Sequence, residues 1–184
     1  MRIISGSKKG KKLILPDPKI TRPLKDNVKE NIFNILLHTR DFKINFEGDI
    51  VIDFFSGSGS FGIECLSRGA KFVIFNETNS QSRNTLFRNL SNNFNKSMFE
   101  IKNNNFFNID VLSLIRKVKP KLVFFDPPYA MEDIEKVFKI INSIDTVNTI
   151  IILHIEKKIN FDFINFRKKL QRIYGISKII FLKK

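Results

Sequence analysis

Ile50-Val51-Ile52-Asp53-Phe54-Phe55-Ser56-Gly57-Ser58-Gly59-Ser60-Phe61-Gly62 decides the fold of this chain. Apart from Asp53, residues 50–55 are β-branched or aromatic, and they read as a buried strand. Gly57, Gly59 and Gly62 then let the backbone turn sharply and approach a ligand closely. The apolar spacing over 61–68 is helical, and Gly69 stops it. A strand that runs through a glycine loop into a helix is the opening unit of a parallel α/β sheet.

Working outward, the same alternation continues. Residues 72–75, 99–102, 122–125 and 149–155 read as strands, and 80–90, 111–118 and 132–144 as helices. Residues 169–182 around Gly175 read as a hairpin. Towards the N-terminus, Arg2-Ile3-Ile4 and Lys12-Leu13-Ile14-Leu15 flank a Gly/Ser/Lys turn, and Pro16-Asp17-Pro18 closes this short β element. Asp26 is placed to cap a helix carrying Val28, Ile32, Phe33, Ile35 and Leu36. The expected organisation is a β extension over residues 1–24 and an α/β domain over 25–184. Its mostly parallel sheet is covered on both faces. In such sheets ligands bind outside the carboxyl ends of the strands.

The glycine loop alone is a weak match to a dinucleotide fingerprint. Asp53 at its mouth argues against a pyrophosphate, which a carboxylate repels. A carboxylate welcomes an ammonium group, so the loop favours S-adenosylmethionine, which carries an α-amino group, a sulfonium and no phosphate. Ser56, Gly57 and Gly59 belong to this loop. Glu77, after the next strand, can accept hydrogen bonds from both ribose hydroxyls. Asn105-Phe106, after the third, offers an amide for the adenine edge and a ring for its face.

The second chemical motif is Asp126-Pro127-Pro128-Tyr129, directly after the apolar run 122–125. Two prolines cannot donate to a sheet ladder, so the strand ends in a rigid lip. The lip carries a carboxylate, backbone carbonyls and an aromatic ring. An exocyclic amine can donate to Asp126 and to the Pro127 carbonyl, while Tyr129 stacks on a base flipped from its context. Asp126 then accepts the amine's proton.

A chain of 184 residues that is 42% hydrophobic can bury a full core. One cysteine, Cys65, excludes an internal disulfide and a cysteine-based zinc site, and it reads as core packing. His38 and His154 are too isolated to make a metal site, and His154, in an apolar strand, reads as a satisfied buried histidine. No apolar run is long enough to span a bilayer, and Ile3-Ile4 gives way at once to Ser5-Gly6-Ser7 rather than a signal-peptide core. A soluble, cytoplasmic monomer is the expectation.

The net charge of +14 is unevenly spread. Residues 1–40 hold ten Lys/Arg against three Asp/Glu, and residues 157–184 hold nine against one. The middle, 41–156, holds thirteen against fourteen. Compositional bias would spread lysine evenly, so charged ends around a neutral centre point to a phosphate backbone as partner. The expected contacts are Arg2, Lys8, Lys9, Lys11, Lys12, Arg22 and Lys25.

Asp53, the glycine loop, Glu77 and the Asp126 box, in this order, resemble a class I methyltransferase acting on an exocyclic amine. The start narrows the match: Arg2-Ile3-Ile4-x-Gly6-x-x-x-Gly10-x-Lys12-Leu13, then Arg22-Pro23-x-x-Asp26-x-Val28-x-Glu30-x-x-Phe33-Asn34. With Glu64, Ser67-Arg68, Arg88-Asn89-Leu90 and the strand ending in Glu156, the chain resembles the bacterial 16S rRNA (guanine-N2)-methyltransferases of the RsmD family. The resemblance implies a seven-stranded Rossmann-like fold with an antiparallel final hairpin and an N-terminal extension that helps to hold RNA. It implies methylation of one guanine in 16S rRNA, within the 30S subunit or its assembly intermediate. By position, Asp53, Gly57, Gly59, Glu77, Asn105 and Phe106 then hold S-adenosylmethionine, and Asp126, Pro127 and Tyr129 the guanine amine. The chain departs from relatives at Lys25, Asn27 and Asn79, while Lys29 keeps the basic charge of its stretch.

Two other readings compete. A DNA adenine-N6 methyltransferase shares the Asp-Pro-Pro-Tyr box but needs a target-recognition region for which 184 residues leave little room. A non-catalytic RNA-binding assembly factor on the same fold has no use for an intact Asp53, Glu77 and Asp126.

Overall fold

In the computed structural model, which describes residues 1–15 and 24–184, the expected alternation is realised. The strands are β1 (Ile50–Phe54), β2 (Phe72–Asn76), β3 (Phe99–Lys102), β4 (Leu122–Phe125), β5 (Ile150–Glu156), β6 (Lys168–Tyr174) and β7 (Ser177–Lys183). The helices are α1 (Asp26–His38), α2 (Ser60–Ser67), α3 (Ser80–Ser91), α4 (Val111–Val118) and α5 (Ile134–Asn142). They build an α/β Rossmann-like fold with a seven-stranded sheet of order β3-β2-β1-β4-β5-β7-β6. Strands β1 to β5 pair in parallel, and β7 runs antiparallel to both β5 and β6.

The order reverses between β1 and β4. From β1 the chain winds outward to β3, then returns to lay β4 on the other side of β1. Crossover loops diverge at such a point and leave a crevice at the strands' carboxyl ends. In register Asp53 stands beside Phe124, and Phe54 beside Phe125. Asp53 and Asp126 therefore rise from adjacent strand tips.

Alternation along each strand divides the core into two layers. Phe124 joins Phe33, Phe46 and Phe61 on one face, and Phe125 joins Phe54, Val137 and Phe138 on the other. Gly62 sets the spacing of α2 on β2: a Cβ there would lie 2.3 Å from the Phe75 ring.

The first fifteen residues form an arm laid on the first layer. Arg2 and Lys12 make an isolated antiparallel bridge, and Ile3 and Leu13 enter the core. The helix after the arm differs from expectation at its start. Asp26 is its first residue rather than its cap, and the preceding Lys25 is extended with no side-chain capping bond. Asp26 acts instead as first-turn negative charge at the helix dipole.

Glu64 and Lys29, two charged residues of the resemblance, are both buried. Glu64 on α2 is fully buried and accepts the backbone N–H groups of Ile4 at 2.7 Å and Ser5 at 2.9 Å. Lys29, which keeps the basic charge of its stretch, is fully buried and donates to the Arg2 carbonyl at 2.8 Å. Burial pushes its pKa down, partly offset by Glu64 and Asp26. These two charges fasten the arm to the domain.

Candidate active site

A cavity of about 810 Å³ opens at the switch point and is lined by both sequence motifs. The glycine loop forms its floor through a set of local hydrogen bonds. The Ser56 hydroxyl donates to the Asp53 carbonyl at 2.6 Å and accepts from the Asn76 amide at 3.0 Å, which ties the tips of β1 and β2 together. Glu77 accepts from the Gly57 amide at 2.7 Å through one oxygen and from the Asn79 amide at 2.8 Å through the other. Each carboxylate oxygen has two lone-pair sites, so these bonds leave acceptor capacity towards the cavity. Gly59, at φ +81°, hands the chain into α2, where the Gly62 amide donates to the Asp53 carboxylate at 3.0 Å.

Phe55 carries no sequence signal for a role here. It adopts φ 61°, a left-handed conformation that is uncommon for a bulky residue and costs roughly 1–2 kcal/mol. The turn sets its ring 4.9 Å from that of Phe106, and both line the cavity.

The electrostatics are one-sided. Asp53, Glu77 and Asp126 all line the cavity, and among the described residues no Lys or Arg does. This holds in a chain of net charge +14. Burial holds the Asp53 carboxyl well above the ordinary carboxylate range, and the charges of Asp126 and Glu77 add to the effect. Only the Gly62 amide opposes it by hydrogen bonding. Such a pocket attracts a cation and rejects a phosphate.

At the third strand tip, Asn105 lines the cavity while its side chain caps a 3-10 turn by accepting from the Phe107 amide at 3.0 Å. Phe106 is only 3% exposed, its ring packed against Phe54, Phe55, Phe107 and Phe125. The more exposed ring at this turn is Phe107, 38% exposed and also in the lining, with the Lys136 ammonium 5.9 Å over its centroid.

The rigid lip forms the opposite wall. The Asp126 amide donates to the Phe54 carbonyl at 3.3 Å, so the lip starts on the tip of β1. Pro127 is buried and Pro128 exposed. Tyr129, expected as a stacking ring, is also anchored through its hydroxyl. That hydroxyl lies 2.8 Å from the Ser177 hydroxyl and 3.3 Å from His154 Nε2. His154 Nδ1 in turn lies 2.8 Å from Asp126 Oδ1. The histidine expected to be satisfied in the core is satisfied by the lip's own carboxylate. Finding this in the sequence needs the register: Phe125 pairs with Leu153, which puts His154 beside Asp126.

Of the residues expected to meet RNA, Arg2, Lys9, Lys11, Lys12 and Lys25 are exposed and Lys8 is half-buried. Arg22 lies outside the described residues. The Lys8 amide donates to Ser67 Oγ at 3.0 Å, which fixes the basic turn on the end of α2. Asn89 links this arm to the cavity. Its side chain accepts from the Ile14 amide at 2.8 Å, and donates to the Ile14 carbonyl at 3.0 Å and the Ser58 carbonyl at 3.1 Å.

Known proteins share this outline. The sequence profile of the family described as Conserved hypothetical protein 95 matches residues 1–183. The Bacillus subtilis protein YlbH, described as a putative rRNA methyltransferase, is 33% identical over 142 residues, covering 77% of this chain and 74% of its own. Ribosomal RNA small subunit methyltransferase D of Haemophilus influenzae is 35% identical over 135 residues, covering 70% of this chain and 64% of its own. Among solved structures, a hypothetical protein of Thermus thermophilus superposes with a TM-score of 0.78 at 18% identity, covering 100% of this chain and 99% of the other.

Proposed function

The chain belongs to the Conserved hypothetical protein 95 family, the RsmD family of S-adenosylmethionine-dependent methyltransferases, and on that premise we propose that it methylates the exocyclic N2 amine of a guanine in 16S rRNA. The substrate is the rRNA within the 30S subunit or its assembly intermediate. The observation that carries this reading is the meeting of the Asp53 loop and the Asp126 lip in one cavity. That cavity has three carboxylates and, among the described residues, no lysine or arginine.

The donor set fits S-adenosylmethionine. Bound there, it supplies a methyl group activated on a sulfonium. Asp53 takes the ammonium group, with Ser56 and Gly57 in the floor around it and Gly59, outside the lining, turning the loop into α2. Glu77 accepts from the ribose hydroxyls while its backbone bonds keep it in place. Asn105 and Phe106 flank the adenine, and the more exposed ring of Phe107 extends that wall.

Guanine N2 is a poor nucleophile because its lone pair is delocalised into the ring. Asp126 and the Pro127 carbonyl accept its two protons and hold the nitrogen towards a localised, tetrahedral geometry. Tyr129 stacks on the flipped base. Alignment of this kind is worth roughly 7–11 kcal/mol of barrier at most. Asp126 accepts the proton that leaves. The arm, with Lys8 and Lys9 in its turn and Arg2, Lys11 and Lys12 beside it, holds the phosphate backbone together with Lys25, and Arg22 is assigned to the same contact from the sequence alone.

The test is radiolabelled methyl transfer to naked 16S rRNA, 30S subunits and DNA side by side, with the modified nucleoside identified by mass spectrometry. The expected product is N2-methylguanosine in RNA. Asp126→Ala should keep cofactor affinity and lose transfer. Label in DNA adenine, or near-normal turnover by Asp126→Ala, overturns the reading.

A further inference from the structure

We infer that His154 is a positioning residue for the methyl transfer: it holds Asp126 so that the oxygen it does not engage, Oδ2, meets the amine. This rests on the function proposed above and adds a residue to it.

His154 is 5% exposed, in a strand whose neighbouring residues on the same face, Ile150 and Ile152, are apolar. A buried polar ring in such a place needs partners. It has two. Nδ1 lies 2.8 Å from Asp126 Oδ1, and Nε2 lies 3.3 Å from the Tyr129 hydroxyl, which lies 2.8 Å from the Ser177 hydroxyl. An ionised carboxylate only accepts, so Nδ1–H donates to Asp126. With the imidazole neutral, Nε2 then accepts from the Tyr129 hydroxyl, which also lies 3.4 Å from the Ile155 carbonyl as a second acceptor, and the Ser177 hydroxyl is left to donate to Tyr129. The imidazole is fixed in one tautomer, a device that orients a functional carboxylate or ligand from behind.

The same chain ties the two ends of the lip together. Asp126 and Tyr129 are both held against the β5–β7 pair, so the carboxylate and the ring keep a fixed relation while a base enters between them. In the step this serves, the bond between the amine nitrogen and the methyl carbon forms as the methyl–sulfur bond breaks. The electron pair stays on sulfur, and the amine's proton goes to Asp126. His154 neither gains nor loses a proton.

The full-length wild type, His154→Ala and His154→Asn are compared for kcat, RNA KM, S-adenosylmethionine Kd and thermal unfolding. Asparagine places an amide N–H close to where Nδ1–H stood. His154→Ala should lower kcat about 10- to 100-fold, with Kd and KM within about threefold of wild type. His154→Asn should recover most of that loss. Wild-type kcat in His154→Ala overturns the inference. So does an equal loss in both variants, which would make the ring mere packing. Nitrogen-15 NMR of the wild type keeps the inference testable if a variant fails to fold: Nδ1 should carry the proton, and an Nε2–H tautomer overturns it. A wild type that labels no RNA defeats the functional reading itself, and this is seen before any variant is compared.

Discussion

Nζ of Lys29 and Oε2 of Glu64 lie 3.8 Å apart with both side chains fully buried. Around them converge Arg68 Nε, 2.8 Å from Glu64, and the backbone of Arg2, Ile4 and Ser5. Two buried charges thus hold the arm that carries the basic turn. Removing one partner of a buried pair costs about 3–5 kcal/mol because the other is left uncompensated. Glu64→Ala should lose about that much in urea denaturation and free the arm to trypsin at Lys8–Lys12. A stable Glu64→Ala protein with a protected arm would show that the pair does not fasten it.

Asp53 sets a pH dependence. Burial raises its pKa in the folded protein well above the ordinary value of 3.8, and only the ionised form pairs with an ammonium group. Affinity for S-adenosylmethionine should therefore fall on acidification at a higher pH than an ordinary carboxylate dictates. Asp53→Asn should bind weakly with a flat pH profile in calorimetry. The sign for stability is opposite. Since the folded state favours the protonated acid, this group's contribution is present below pH 3.8 and is lost as pH rises through the raised pKa. Unliganded Asp53→Asn should be at least as stable as wild type at neutral pH.

Gly62 is fixed by contact rather than by its backbone angle. A Cβ there would lie 2.3 Å from Phe75 Cε1 and 2.9 Å from Val73 Cγ1. Both belong to β2, so α2 must lift from the sheet and carry the Gly62 amide away from Asp53. Gly62→Ala should cost about 1–3 kcal/mol, as overpacking usually does, and weaken cofactor binding at the same time. Thermal unfolding and Kd measured on one preparation check it. A stability loss with unchanged Kd would separate the helix from the site.

The arm's lysines should act through charge alone. Replacing Lys9, Lys11 and Lys12 by glutamine should raise the RNA KM without changing kcat. It should also reduce the magnitude of the log KM against log salt slope by about 0.7–0.9 for each phosphate that is no longer neutralised. Steady-state methyl transfer at several salt concentrations measures it, and an unchanged slope would place RNA elsewhere on the surface.

Much of this is legible along the chain because the signals are local. Alternating apolar runs and glycine stops mark strands and helices within a few residues. Two prolines end β4 wherever it lies. The charge imbalance of the ends is a matter of counting. Other residues mislead for a physical reason. Glu64 and Lys29 are charged, and charge argues for the surface unless a partner distant in sequence compensates it. Phe106 and Phe107 are identical as letters, and only packing decides which ring is buried and which is left partly exposed.

The sequence by itself determined the order of elements, the acid-and-glycine floor and the rigid acidic lip, since each depends on a few neighbours. Only the tertiary structure decided that β4 returns beside β1, and so brings Asp53 and Asp126 to one cavity. It alone set the register that lays His154 against Asp126 and the Ile4 and Ser5 amides on Glu64. Those pairings join residues 28, 60 and 59 positions apart, and no local preference encodes which of many distant groups a buried charge will meet.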